Sequence, residues 1–201
     1  DFDFHEIMEV KKIYPHSYHK TCKEGRPIYI EQLCKVNMDT LFKATTEERM
    51  VKYYIKEYER TQIYRLPSCS KTVNKFIEQS IVILDMDGIG LGILTGKVKE
   101  FMKIASDLAQ NYYPETLYKM FLINTSFFFS AVWTIVKGFI DEKTRNKIMV
   151  EKSSYQKKLL EYVDADNLPS FLGGNCKCEH IEGGCLYSDI GPWNPKGGLR
   201  Y

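Results

Sequence analysis

Asp85 and Asp87 stand two residues apart behind the apolar run Ile81-Val82-Ile83-Leu84. A strand ending this way can present one carboxylate as nucleophile and the other as general acid to a phosphate ester, with magnesium neutralising the phosphate. That chemistry also needs an acidic pair after a later strand to hold the metal, and the later strands end in Asn124-Thr125-Ser126 and Lys152-Ser153. An aspartate-based phosphatase using Asp85 therefore stays an alternative only. Gly88, Gly90, Gly92 and Gly96 lie between a strand and a helix, but their spacing is not G-x-G-x-x-G and the next strand ends without a ribose-binding acid. Cys176, Cys178, His180 and Cys185 gather four zinc-competent side chains in one short segment. The C-x₂-C spacing is missing, and the surrounding glycines and acidic residues read as an irregular exposed loop, so no metal is expected. No Ser/His/Asp or Cys/His arrangement is visible, and each of the 4 His reads as a surface residue.

The elements that must position any site centre on residues 120–154. No charge occurs from Met120 to Val136, and Lys119 and Lys137 bracket the run. It falls just short of the ~18–20 apolar residues that a bilayer span needs. Asn124-Thr125-Ser126 also interrupts it with cap-forming side chains, so it reads as a strand over 117–123, a turn and a helix over 127–140. On that helix Ser130, Thr134 and Lys137 form one narrow polar stripe. The rest of its circumference is apolar, so the helix must be buried nearly all round or face something oily.

Around this stretch the pattern predicts a short helix over 5–13, a strand over 26–33 and a helical turn over 39–42. A long helix opens at Thr45-Thr46-Glu47-Glu48 as a capping box and runs to Leu66-Pro67. The β-branched run 81–84 reads as a buried strand. With a helix over 97–111 and the strand over 117–123 it forms one βαβ unit, hence a parallel pair. A short strand over 148–150 and a helix over 155–163 follow. The fold class is α/β with a small mixed sheet. At 201 residues, 44% hydrophobic and 27% charged, the chain suits one domain, and a net charge of +2 argues against a nucleic-acid partner. The 14 Tyr and 11 Phe suit a large core or a cavity walled by rings. Cys22, Cys34 and Cys69 are scattered and read as reduced thiols. With no leading Met and no signal-peptide pattern, the sequence reads as a domain cut from something longer.

Several stretches follow one another in a familiar order. They are Tyr14-Pro15 with Tyr18-His19-Lys20-Thr21, Gly25-Arg26-Pro27, Thr46 to Met50, and Tyr64-Arg65-Leu66-Pro67. Then come Gln110 to Glu115, Ser153 to Lys157, Asn167-Leu168-Pro169, Gly173-Gly174 and Ser188 to Trp193. Together they resemble the CRAL-TRIO lipid-binding domain, and most of all the yeast-type phosphatidylinositol/phosphatidylcholine transfer proteins of the secretory pathway. The resemblance runs through residues 1–201 as one domain, without that family's N-terminal helical bundle and with an irregular tail over 173–201.

The resemblance implies a mixed, largely parallel sheet flooring a hydrophobic lipid pocket, with helices packed around it. The helix over 127–140 becomes a movable gate, built from Phe127, Phe128, Phe129, Val132, Trp133 and Val136 with Gly138 as hinge. Tyr18, Tyr29, Tyr58 and Ser80 match positions that contact phosphatidylcholine. This suits rings that attract a quaternary ammonium and hydroxyls that donate to phosphate. Glu115, Thr144 and Lys147 match positions that contact phosphatidylinositol, while Val82 stands at a Thr position and Thr116 at an Arg position. The implied function is non-enzymatic exchange of phosphatidylinositol and phosphatidylcholine. The bound phospholipid is a ligand rather than a cofactor, and the implied partners are a transient membrane surface and a phosphatidylinositol kinase. The implied location is cytoplasmic, peripherally on membranes such as the Golgi. A carrier of tocopherol, retinoid or sterol is the rival binding function.

Overall fold

The computed structural model describes residues 2–33, 36–89, 95–113, 115–127 and 129–199. Its centre is a five-stranded sheet in simple sequence order: β1 (His16–Thr21), β2 (Pro27–Gln32), β3 (Ser80–Asp85), β4 (Leu117–Ile123) and β5 (Ile148–Val150). β1 pairs antiparallel to β2, and every later pair is parallel. The sheet is thus mixed and mainly parallel, as expected. The strand over 117–123 and the short strand over 148–150 lie where the sequence places them. β1 was not legible as a strand, because polar side chains stand on both of its faces.

Period-2 alternation gives the sheet two different faces. Ile28, Ile30, Ile81, Ile83 and Phe121 point to one side and pack on Tyr155, Leu159 and Val163 of and beside α8 (Tyr155–Tyr162). Each of these side chains contributes about 1.5–3 kcal/mol through burial. The opposite face is covered by α2 (Met38–Ala44), α3 (Glu47–Arg60), α5 (Gly96–Asn111) and α6 (Phe129–Val136), while α1 (Ile7–Ile13) packs on α2 and α3. α7 (Glu142–Arg145) closes one end.

Three sequence expectations change in detail. Thr46, not Thr45, caps α3: its hydroxyl accepts from Arg49 N at 3.2 Å. The residue three on is then an arginine rather than a glutamate, so no reciprocal capping bond forms. The helix also does not stop at Leu66-Pro67. It passes through a π-turn, Thr61–Arg65, into α4 (Leu66–Val73). A proline in a continuous α-helix would clash with the carbonyl four residues back, and the wider turn before Pro67 relieves this. The third change is the tail, which is irregular but not an exposed loop. Leu186 belongs to the main core, and Ser188, Asp189 and Asn194 are buried. Gly174 can only be glycine here, since a Cβ would lie 2.0 Å from the Leu168 carbonyl oxygen.

Candidate functional site

One row of side chains crosses the sheet on the helix-covered face. Tyr18 pairs with Tyr29, Tyr29 with Val82, Val82 with Met120 and Met120 with Ile148. A second row runs His16, Glu31, Leu84 and Leu122. Both rows floor a cavity of about 590 Å³, roofed by Tyr54 and Tyr58 of α3, Phe101, Met102 and Ala105 of α5, and Phe129, Val132, Trp133 and Val136 of α6. Its size is in the range of small-molecule and cofactor sites. The lining is graded along the strands. Ser80, Glu115, Thr116 and Lys147 sit where the parallel strands begin, and Leu84, Met86, Ile89 and Leu122 where they end. A molecule with one polar and one oily end fits that gradient.

The β1/β2 side is aromatic and acidic. Tyr18 and Tyr29 lie with ring centroids 5.1 Å apart, and Tyr58 stacks on Tyr113 at 4.5 Å with planes 6° apart. Tyr14 donates to Glu31, and the Tyr14 and Tyr54 hydroxyls are 2.5 Å apart. Burial pushes the Glu31 carboxyl up to about 7, although hydrogen bonds from Tyr14 and Tyr29 pull the other way. His16 is held neutral, mainly by burial and further by Lys11. Its Nδ1 is 2.7 Å from the Tyr14 carbonyl and must donate, so Nε2 accepts from the Tyr53 hydroxyl at 2.8 Å.

The other polar patch combines both charges. Glu115 accepts from Lys143 and from Lys147, the latter at 3.5 Å, and these ammonium groups, Lys143 first, hold its carboxyl below the usual range. Asp141 caps α7, accepting from Thr144 N at 2.9 Å, which fixes Thr144 beside Lys147. Ser80 donates to the Thr116 carbonyl at 3.3 Å. The seven predicted headgroup residues, Tyr18, Tyr29, Tyr58, Ser80, Glu115, Thr144 and Lys147, all line this one cavity, as do the departures Val82 and Thr116.

α6 is shorter than the sequence pattern, ending at Val136 before a 3-10 turn, Lys137–Phe139. Phe129, Val132, Trp133 and Val136, at i, i+3, i+4 and i+7, face inward. Phe127 is 84% exposed, and Gly138 has open space where a Cβ would be. Phe128 lies outside the described residues, as do Gly90, Gly92 and Cys34. The far end of α6 is latched to α5. Ser106 Oγ and Gln110 Nε2 donate to the Phe139 carbonyl at 2.9 and 3.0 Å, and Asp141 N donates to Gln110 Oε1 at 2.9 Å.

Sequence reasoning missed Tyr14, His16, Glu31, Tyr53 and Tyr54, which surround the aromatic end. The alternation of Tyr29 and Glu31 on a strand was a usable signal for Glu31. The reading of every histidine as a surface residue fails for His16 and His19, both buried. Asp85, the nucleophile of the phosphatase alternative, is buried and accepts from Asn124 Nδ2 at 2.9 Å and Asp87 N at 3.2 Å, where it holds the turn after β3.

Comparison with known proteins gives a consistent set of likenesses. A family model described as the CRAL/TRIO domain matches residues 11–174. The chain is 44% identical over 196 residues to phosphatidylinositol/phosphatidylcholine transfer protein SFH11 of Arabidopsis thaliana, covering 98% of this chain and 52% of that one. It is 46% identical over 197 residues to the SEC14 cytosolic factor of Eremothecium gossypii, covering 98% of this chain and 64% of the relative. The chain therefore spans less than two thirds of these relatives' own length. A crystal structure of Sfh5 superposes with a TM-score of 0.61 at 18% identity, over 78% of this chain and 54% of that chain, a likeness of fold.

Proposed function

The chain belongs to the CRAL/TRIO domain family, and on that premise we propose that it binds one phosphatidylinositol or phosphatidylcholine and exchanges it between membranes without enzymatic chemistry. The observation that carries this reading is the graded cavity, apolar beneath α6 and polar at the starts of the parallel strands. Acyl chains occupy the part under Met86, Ile89, Phe129, Val132 and Trp133. The choline head meets Tyr18, Tyr29 and Tyr58, whose rings attract a quaternary ammonium, and its phosphate meets Ser80. The inositol phosphate meets Lys147, with Thr144 and Glu115 bonding the ring hydroxyls.

α6 opens as a gate during membrane contact, with Gly138 as its hinge and the Gln110 latch as its restraint. Among the described residues no helix is long and apolar enough to cross a membrane. The proposal extends to a cytoplasmic protein that visits membranes such as the Golgi and presents phosphatidylinositol to a lipid kinase. Native mass spectrometry of the purified protein tests the ligand class. A bound phospholipid carrying an inositol or choline head is expected, whereas a bound tocopherol, retinoid or sterol contradicts the proposal.

A further inference from the structure

The strand that offers Tyr18 to the cavity turns the next side chain, His19, to the opposite face. There it meets the C-terminal segment. One ring nitrogen of His19 and the Sγ atoms of Cys176, Cys178 and Cys185 all lie within 4.8 Å of one another. Sequence proximity points to His180 as the fourth donor, with no metal expected. His180 is exposed and stands outside this cluster, and His19, more than a hundred and fifty residues away in sequence, takes its place.

Hydrogen bonding fixes which nitrogen is free to ligate. Ser188 Oγ donates to the Cys185 carbonyl at 2.8 Å, so toward His19, 2.9 Å away, it can only accept. His19 Nδ1 must therefore carry the proton, and Nε2 holds the lone pair. His19 is 0% exposed, and among the described residues Nε2 has no hydrogen-bond partner. A buried imidazole acceptor without a donor is costly to leave unpaired. A ligating histidine is typically oriented in this way, with its other N–H held by a neighbouring acceptor.

The sulfur geometry agrees. Cys176 Sγ and Cys178 Sγ are 3.7 Å apart. Four ligands at tetrahedral corners with Zn–S bonds of about 2.3 Å have edges of about 3.8 Å. The backbone holds the donors from independent directions. Cys176 N donates to the Leu168 carbonyl at 3.0 Å and its own carbonyl accepts from Ser170 N at 2.8 Å. The chain from Cys178 folds back through Ile181 N to Cys178 O at 2.9 Å and Gly184 N to Ile181 O at 2.9 Å, bringing Cys185 to the group.

We propose that His19, Cys176, Cys178 and Cys185 form a structural tetrahedral zinc site that fastens the C-terminal segment to β1. All four corners are filled by protein, so the site is closed and has no position for substrate. The segment it anchors carries Ser188 and Asp189, and Asp189 accepts from Arg65, whose guanidinium lies against Tyr18. The metal therefore braces the back of the strand that offers Tyr18 to the cavity. It does this whether or not the cavity carries a phospholipid.

The test is metal content by plasma mass spectrometry on the untagged protein, grown with zinc and purified without chelator. One zinc per chain is expected, released stoichiometrically when a mercurial titrates the thiols. Cys178→Ser and His19→Gln should each lose the metal, while His180→Gln keeps it. Should the variants fold poorly, cobalt added to the metal-stripped wild-type protein still reports. Tetrahedral thiolate coordination gives intense visible d–d bands and a near-ultraviolet charge-transfer band. The proposal is overturned if folded, reduced protein takes up neither zinc nor cobalt in this form. It is equally overturned if intact mass shows Cys176 and Cys178 joined as a disulfide, or if His19→Gln retains the metal and His180→Gln loses it.

Discussion

The guanidinium of Arg65 lies 4.0 Å from the centroid of the Tyr18 ring, so one face of that ring already holds a cation. Arg65 is 1% exposed and donates through Nη2 to Glu57 Oε2 at 2.8 Å and Asp189 Oδ1 at 3.0 Å. Burial alone would favour its neutral form, but Glu57 and Asp189 more than reverse that and keep it charged. A choline head entering the cavity therefore finds Tyr29 and Tyr58 better partners than Tyr18, whose quadrupole is already shared. Glu57, Arg65, Asp189 and the Tyr18 ring together join α3, the π-turn, the C-terminal segment and β1.

Removing this cation leaves Glu57 and Asp189, in a poorly solvated site, with the longer contacts to Arg60 at 3.4 and 3.5 Å. Arg65→Met should lower stability by about 3–5 kcal/mol, the usual cost of breaking a buried pair from one side. Urea unfolding followed by circular dichroism measures this. A loss below about 1 kcal/mol would mean that Arg60, which already contacts both carboxylates, or water carries the load instead.

Glu31 gives a pH signature. Its carboxyl titrates at about 7 in the folded protein against an ordinary value of 4.5, so the folded state holds the proton more tightly. The stabilisation from this group is fully present below about 4.5 and is lost as pH rises through about 7. Between pH 5.5 and 8 this one group should account for a fall in unfolding free energy of about 2 kcal/mol. Glu31→Gln should remove that component. A wild-type and variant pair with parallel pH profiles would show that Glu31 is solvated and titrates normally.

The latch sets how readily α6 moves. Gln110→Ala deletes one bond to the Phe139 carbonyl and one from Asp141 N, on the order of 1–2 kcal/mol together. Amide hydrogen exchange in residues 137–141 should accelerate several-fold, and lipid exchange should rise with it while global stability changes little. Unchanged exchange in that segment would remove the latch from the account.

Phe127 should act only when a membrane is present. Its side chain is 84% exposed, so Phe127→Glu should leave folding intact. Vesicle co-sedimentation should weaken by about 1.5–3 kcal/mol, the burial that one Phe can supply at an interface. Equal vesicle binding by the variant would place the docking surface elsewhere.

β3 and β4 were legible because apolar residues dominate each and turns bound them, and Ile81 to Leu84 and Leu117 to Ile123 are read almost to the residue. β1 was not, because its partners set its pattern. His16 and His19 are buried by the C-terminal segment and by α3, from distant parts of the chain, and no local period reports that. The predicted headgroup residues were reached through the resemblance and not through spacing. Tyr18, Ser80 and Lys147 line one cavity only when β1, β3 and the start of β5 are set in one sheet. The fourth member of the cysteine group was misassigned for the same reason. His180 is near in sequence, whereas His19 is near only after β1 is laid against the tail.

The central claim is that one cavity reads two headgroups at separable patches, and vesicle-to-vesicle transfer of both lipids by the same variants tests it most directly. Lys147→Ala should lower phosphatidylinositol transfer roughly ten- to a hundredfold, as for loss of a partly desolvated contact of ~1.5–3 kcal/mol, and leave phosphatidylcholine transfer nearly intact. Tyr58→Ala combined with Ser80→Ala should do the reverse, and Thr116→Arg should raise phosphatidylinositol transfer. Equal loss of both lipids in Lys147→Ala, with an unchanged circular dichroism spectrum, would contradict the account, because that lysine would then be holding the cavity together and reading no headgroup.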